Sequence, residues 1–217
     1  MAAQIPDVPS APTTSFNNAN GQVTISWTAP NNGGSVITSY TVTIAKFDNS
    51  SYIETASCDG TLSSVVSAQS CTMASSVING SPYLVPWGSS VFAKVSARNL
   101  YGSSLTSSDA GNGAVIITIP NPPTTLNATS ITTNTIQFSW VAPSDVGGSP
   151  IIDYAVWWDQ GVASWQFRQT VTVNTHRSTG LTTGVTYSYY VLARNAFGFS
   201  VASAVGSWLV ATAPSIP

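Results

Sequence analysis

Two stretches of this chain repeat each other at long range, and that repeat limits the possible folds more than any other feature. Trp27-Thr28-Ala29-Pro30 matches Trp140-Val141-Ala142-Pro143, and Ala97-Arg98-Asn99-Leu100-Tyr101-Gly102 matches Ala193-Arg194-Asn195-Ala196-Phe197-Gly198. Apolar residues alternate up to each Trp: Val23, Ile25, Trp27 in one copy and Ile136, Phe138, Trp140 in the other. Turn-forming Asn31-Asn32-Gly33-Gly34 and Asp145-Val146-Gly147-Gly148 follow, then a second alternating run, Tyr40, Val42, Ile44 or Tyr154, Val156, Trp158. Period two marks half-buried strands joined antiparallel. β-branched residues dominate these runs and no window keeps a 3.6-residue apolar stripe, so helices are expected to be absent or very short. At 217 residues the chain is long enough for two β-sandwiches, each with its own core.

The paired core Trp and the Ala-Arg-Asn-x-x-Gly turns resemble those of fibronectin type III domains. The resemblance covers essentially the whole chain and implies an all-β protein of two tandem antiparallel immunoglobulin-like (fibronectin type III) β-sandwiches, with domains at 1–119 and 120–217. In that family a Tyr near the start of the sixth strand hydrogen-bonds across the preceding corner, a role the resemblance gives to Tyr187. Val91 stands at the equivalent place in the first copy, which must secure its corner by packing or another donor. The first copy also holds about seventeen more residues between its Trp and its Asn-x-x-Gly turn. Cys58 and Cys71, the only cysteines, fall in that stretch and are expected either to tie the insertion back by a disulfide or to remain as two buried thiols. Long, low-charge arrays with such an insertion are similar to extracellular proteins of unicellular eukaryotes.

Ile-Pro recurs at Ile5-Pro6, Ile119-Pro120 and Ile216-Pro217, each where a last strand should hand over to the next domain. Pro120, Pro122 and Pro123 fix φ and bias their predecessors towards extended backbone, which predicts a semi-rigid link. The chain ends in the same phase of this pattern in which it begins. That phase suits a segment of a longer array, a protomer joined head to tail, or a domain pair trimmed at its linkers.

Only 6% of residues are charged and the net charge is -2, so there is no basic stripe for nucleic acid or anionic lipid. No apolar run reaches bilayer length and the first residues lack a signal peptide's charged and apolar regions. A secreted address, if used, is expected upstream or already removed. His176 is the lone histidine and is read as an exposed structural residue. No Ser-His-Asp set, carboxylate pair, metal cluster or phosphate loop is visible, so the reading is of a non-enzyme with no cofactor.

Asn49-Ser50-Ser51, Asn79-Gly80-Ser81 and Asn127-Ala128-Thr129 fit the N-glycosylation pattern. Seven Trp exceed what two cores need. If Tyr154, Val156 and Trp158 face inward, Trp157 faces out, beside Trp165 and Phe167 on the neighbouring strand. Such a patch could dock protein, pack aromatics within one sheet or stack on sugar. Trp208, in the last strand, is a further interface candidate. The leading expectation is an extracellular or cell-surface structural module that assembles linearly with copies of itself or neighbouring domains. The alternative is an adhesion or carbohydrate-binding module of a larger protein.

Overall fold

The computed structural model describes residues 2–107 and 109–211; Ile216-Pro217 lies outside them. The chain divides into two compact units, Met1–Ile117 and Thr118–Pro217. The division falls two residues ahead of the boundary expected from the prolines, because the Thr118 amide already donates to Gly147 in the second unit.

In the first unit one sheet orders β1 (Thr13–Asn17), β2 (Gln22–Ser26) and β5 (Ser70–Ala74). The facing sheet orders β4 (Tyr52–Glu54), β3 (Ser39–Ala45), β7 (Ala93–Asn99) and β8 (Gly102–Ser103). A short ladder joins β6 (Ser90–Val91) to β9 (Ala114–Val115). The second unit repeats the layers without the additions: β10 (Thr124–Ile131), β11 (Thr135–Val141) and β14 (Thr175–Thr179) form one sheet. The other orders β13 (Gln166–Val171), β12 (Asp153–Trp158), β15 (Thr186–Arg194) and β16 (Gly206–Leu209). All pairings are antiparallel. Both units are immunoglobulin-like sandwiches.

Alternation puts the expected residues inside. Val23, Ile25 and Trp27 meet Tyr40, Val42 and Ile44 in one core, and Ile136, Phe138 and Trp140 meet Tyr154 and Val156 in the other. Trp27 packs edge-on against Tyr40 at 5.1 Å between ring centres, and Trp140 against Tyr154 at 5.3 Å. The two cores thus use one aromatic joint twice.

The last strand of each sandwich is broken, and buried serines carry its pairing. The Oγ of Ser104 accepts from the Ala97 amide and that of Ser107 from Val95, while Ser200 and Ser203 do the same for Ala193 and Val191. Each serine's own amide returns a bond to the same residue's carbonyl. A hydroxyl here replaces a missing strand carbonyl, so no amide of the central strand is left bare.

The corner tyrosine works as the family resemblance implied. The Thr182 amide donates to the Tyr187 hydroxyl at 3.0 Å. In the first unit Val91 is buried in the core, and the corner is held by the β6–β9 ladder and the Gly88 amide bonding to Ile116.

Cys58 and Cys71 form a disulfide with Cα atoms 5.3 Å apart. Only Cys58 lies in added chain; Cys71 belongs to β5 and pairs with Ile25 of β2. The extra residues are split across two segments flanking β5. The first carries a short 3-10 turn, Ala56–Cys58, and α1 (Ser63–Ala68); the second carries α2 (Ser75–Asn79) and Tyr83, whose hydroxyl donates to Glu54. The bridge ties the first addition to the sheet.

Two outcomes follow from these bonds. Replacing both cysteines by serine should lower the stability of the first unit by about 3 kcal/mol, the denatured-chain entropy of a loop this size. The second unit's calorimetric transition should stay in place. Ser203→Ala should cost the second unit roughly 1–3 kcal/mol, measurable by urea unfolding, because the buried Val191 amide loses its acceptor.

Candidate functional site

The outer face of the β13-β12-β15 sheet is built by the residues that alternation turns away from the core. Trp157 of β12 stacks on Tyr190 of β15, its register partner, with ring centres 5.9 Å apart and planes 11° off parallel. Phe167 of β13 meets Trp157 edge-on at 5.9 Å, and Trp165 approaches Tyr190 at 4.6 Å. A β-bulge between β12 and β13, next to the Trp157–Phe167 pair, re-aims the strand there. Beside this cluster lies an open groove of about 230 Å³ lined by Ala155, Trp157, Phe167, Leu192 and Phe199. The floor is apolar throughout. At its end the Arg194 guanidinium sits 5.3 Å over the Phe199 ring and is paired with Asp153. That carboxylate raises the pKa of Arg194 further, through its hydrogen bond first and its charge second.

The first unit offers an internal control for this face. Its β3 and β7 pair in the same register, with Thr41 opposite Ser96 and Thr43 opposite Lys94. The equivalent pairs in the second unit are Ala155 with Leu192 and Trp157 with Tyr190. One backbone therefore tolerates a hydroxyl-and-lysine face, and the aromatic face is no requirement of the fold.

The remaining candidates distribute as follows. Trp157 is partly covered by its neighbours, while Trp165 and Phe167 are 41% and 52% exposed. Trp208 does not join them. It sits opposite Tyr187 in the β15–β16 ladder, which turns it inward over Phe138 at 5.1 Å, filling the space left by Gly206. Asn49 is exposed in the β3–β4 hairpin with positive φ, behind an Asp48 carboxylate that accepts from Ser50 and Ser51. Those bonds pull Asp48 down to about 2, the Ser51 amide first. Asn127 is exposed on β10. Asn79 ends α2 and its amide nitrogen donates to the Val85 carbonyl, so the atom that would carry sugar is already engaged.

His176, expected outside, is buried. In β14 the alternation His176, Ser178 faces the core, and the ring lies 5.6 Å from Phe138 and bonds Ser178 Oγ at 3.0 Å. Burial, and then the positive charge of Arg168, push its pKa down to about 4. Among the described residues no three His, Cys, Asp or Glu side chains gather as a metal site would need.

Sequence reasoning passed over Tyr190, Leu192 and Phe199. With Tyr187, Tyr189 and Val191 inward, period two already turns Ser188, Tyr190 and Leu192 out. It also passed over what Asn99 and Asn195 do. Both are buried, and the Nδ2 of each donates to two carbonyls: Asn99 to Gln4 and Asn32, Asn195 to Thr118 and Val146.

The depressed pKa of His176 makes stability pH-dependent. The folded state prefers the neutral ring, so its contribution is whole above pH 6.5 and is lost as the pH falls towards 4. The second unit should weaken by roughly 3 kcal/mol over that window. His176→Gln should flatten the profile of unfolding midpoint against pH.

Residues 121–207 match the fibronectin type III domain family model. Among solved structures, the chain is similar to domains A168-A170 of titin at 16% identity and a TM-score of 0.50, over 96% of this chain and 62% of that one. It is also similar to the chicken CNTN1 FN1-FN3 domains at 17% identity and a TM-score of 0.43, over 98% of this chain and 70% of that one. The chain spans less than two thirds of the titin segment, and the likeness is one of fold. The family match falls on the second unit, and the first repeats that unit's core and serine-bridged last strand, so the chain is a tandem of two immunoglobulin-like sandwiches of which the second matches the fibronectin type III family.

Proposed function

We propose that the chain is a non-enzymatic structural module of an extracellular fibre, filament or surface coat, assembling with further copies of itself through its ends and the aromatic face of the second domain. The observation that carries this reading is the difference between two matched faces. Thr41, Thr43, Lys94 and Ser96 give one sheet a polar outer face, while on the other Ala155, Trp157 and Leu192 line an apolar groove and Tyr190 stacks on Trp157 beside it. Exposed aromatics of this size favour association. The groove's apolar lining argues against sugar capture, because a sugar ring needs polar partners as well as a stacking face.

The disulfide supports an oxidising compartment. No helix among the described residues is long and apolar enough to cross a membrane. Glycans at Asn49 and Asn127, both exposed, would hydrate a surface that has few charges. The engaged amide of Asn79 makes it the poorest of the three acceptors.

The test copies the protein's own control. Trp157→Thr with Tyr190→Lys gives the second domain the outer pair of the first, and should leave the fold intact while abolishing assembly in negative-stain images and sedimentation. Monodisperse monomers of the unaltered chain under native conditions would overturn the reading.

A further inference from the structure

Each sandwich grips the segment that leads into it, and both grips use the same parts. In the first unit the Gln4 amide donates to Gly33 at 2.8 Å, and the Gln4 carbonyl accepts from Asn99 Nδ2 at 2.7 Å. In the second the Thr118 amide donates to Gly147 at 2.9 Å, and the Thr118 carbonyl accepts from Asn195 Nδ2 at 2.7 Å. Three residues on, Asp7 bonds to Asn31 and Asn121 to Asp145. Gly33 and Gly147, both at positive φ, lie so close under the segment that a Cβ would strike the backbone oxygens of Gln4 and Ile5 or of Thr118 and Ile119.

The gripped residues share one pattern, x-Ile-Pro. The first position is read through its backbone alone, which explains why Gln4 and Thr118 serve equally. The Ile lies across a glycine of the last turn, with Ile5 Cγ2 placed 3.1 Å from where a Cβ of Gly102 would stand and Ile119 Cγ2 3.6 Å from that of Gly198. The Pro is buried in both copies, as Pro6 and Pro120. Proline and its extended predecessor hold the segment close to its bound shape before binding. A buried amide with two bonded carbonyls, a glycine floor and a proline seat, all in duplicate, make a built peptide site.

The sequence contains a third x-Ile-Pro, Ser215-Ile216-Pro217. We propose that the cradle around Asn99 recognises x-Ile-Pro segments, and that Ser215-Ile216-Pro217 of one copy enters the Asn99 cradle of a second copy in place of Gln4-Ile5-Pro6. This rests on the linear-assembly reading above and names its joint. The displaced arm precedes the first strand, which starts at Thr13, so the exchange breaks no sheet pairing. It swaps like for like, and therefore depends on concentration against a tethered competitor present at an effective concentration on the order of millimolar. Exposed Leu100 and Tyr101 beside the cradle offer the incoming copy further apolar contact. Segment and cradle are different surfaces, so the contact is heterologous and leaves each added copy with a segment still to offer.

The test empties the cradle. A chain lacking residues 1–6 should form species whose size grows with concentration in sedimentation. An excess of free peptide spanning residues 210–217 should return it to monomer, and removing residues 212–217 as well should abolish the growth. Should the shortened chain not fold, the full chain with Ile5→Asp loosens the arm without shortening it, and binding of the fluorescent peptide is read by anisotropy. Peptide carrying Ile216→Asp should bind at least tenfold more weakly, and Asn99→Asp, which turns the donor into an acceptor facing two carbonyls, should remove binding. Absence of peptide binding to both folded variants, or equal binding of the altered peptide, overturns the inference. If the intact chain forms filaments that survive loss of residues 212–217, the joint is wrong while linear assembly stands. If the peptide binds but the intact chain never assembles, the cradle stands and the assembly reading falls.

Discussion

The register between the third and seventh strands of the first sandwich, and between their counterparts in the second, is the constraint on which everything else rests. It is pinned from inside by Trp27 against Tyr40 and by Trp140 against Tyr154. A slip of one residue would turn every side chain of the strand to the opposite layer. With the register fixed, the outward positions are released from packing duty. The two domains have used that freedom in opposite ways, one keeping threonine and lysine, the other collecting indole and phenol rings.

Polar satisfaction of the backbone is solved with uncharged side chains. Four serines stand in for missing strand carbonyls and two asparagines close the ends where the chain enters. Hydroxyls and amides do this without the desolvation cost of buried charge. A chain with so few ionic groups can therefore bury irregular backbone and still leave its amides paired. The one close ion pair among the described residues, Arg194 with Asp153, sits at the rim of the aromatic groove.

Much of the fold was legible because both domains state it in the same words. The alternating runs, the Gly-Gly turns and the Tyr187 corner carried over directly from residue to position. Three readings went astray for physical reasons. His176 stands beside Arg177 and was read as exposed, yet period two puts it on the inner side with Ser178, and burial is tolerated because the ring stays neutral. Trp208 is an interface candidate in the sequence, but its strand of four residues is too short for the phase to show, and its inward seat depends on the absence of a side chain at Gly206. Cys71 was assigned to an insertion because spacing counts extra residues without saying where they divide, and the strand between the two added segments took the cysteine. The aromatic face was partly visible through Trp157, Trp165 and Phe167. Tyr190 and Leu192 completed it from a strand whose inward tyrosines had drawn the attention.

The disulfide has a mechanical side. A pull on the two ends of the chain would, on unravelling the first sandwich, pay out its residues one after another until it met the bridge. The 13-residue separation between Cys58 and Cys71 would stay folded back on itself, withholding about 40 Å of contour length that the bare backbone would otherwise yield. Two domains of one architecture would then give way by unequal steps, and reduction of a single bond would lengthen the stroke of one of them.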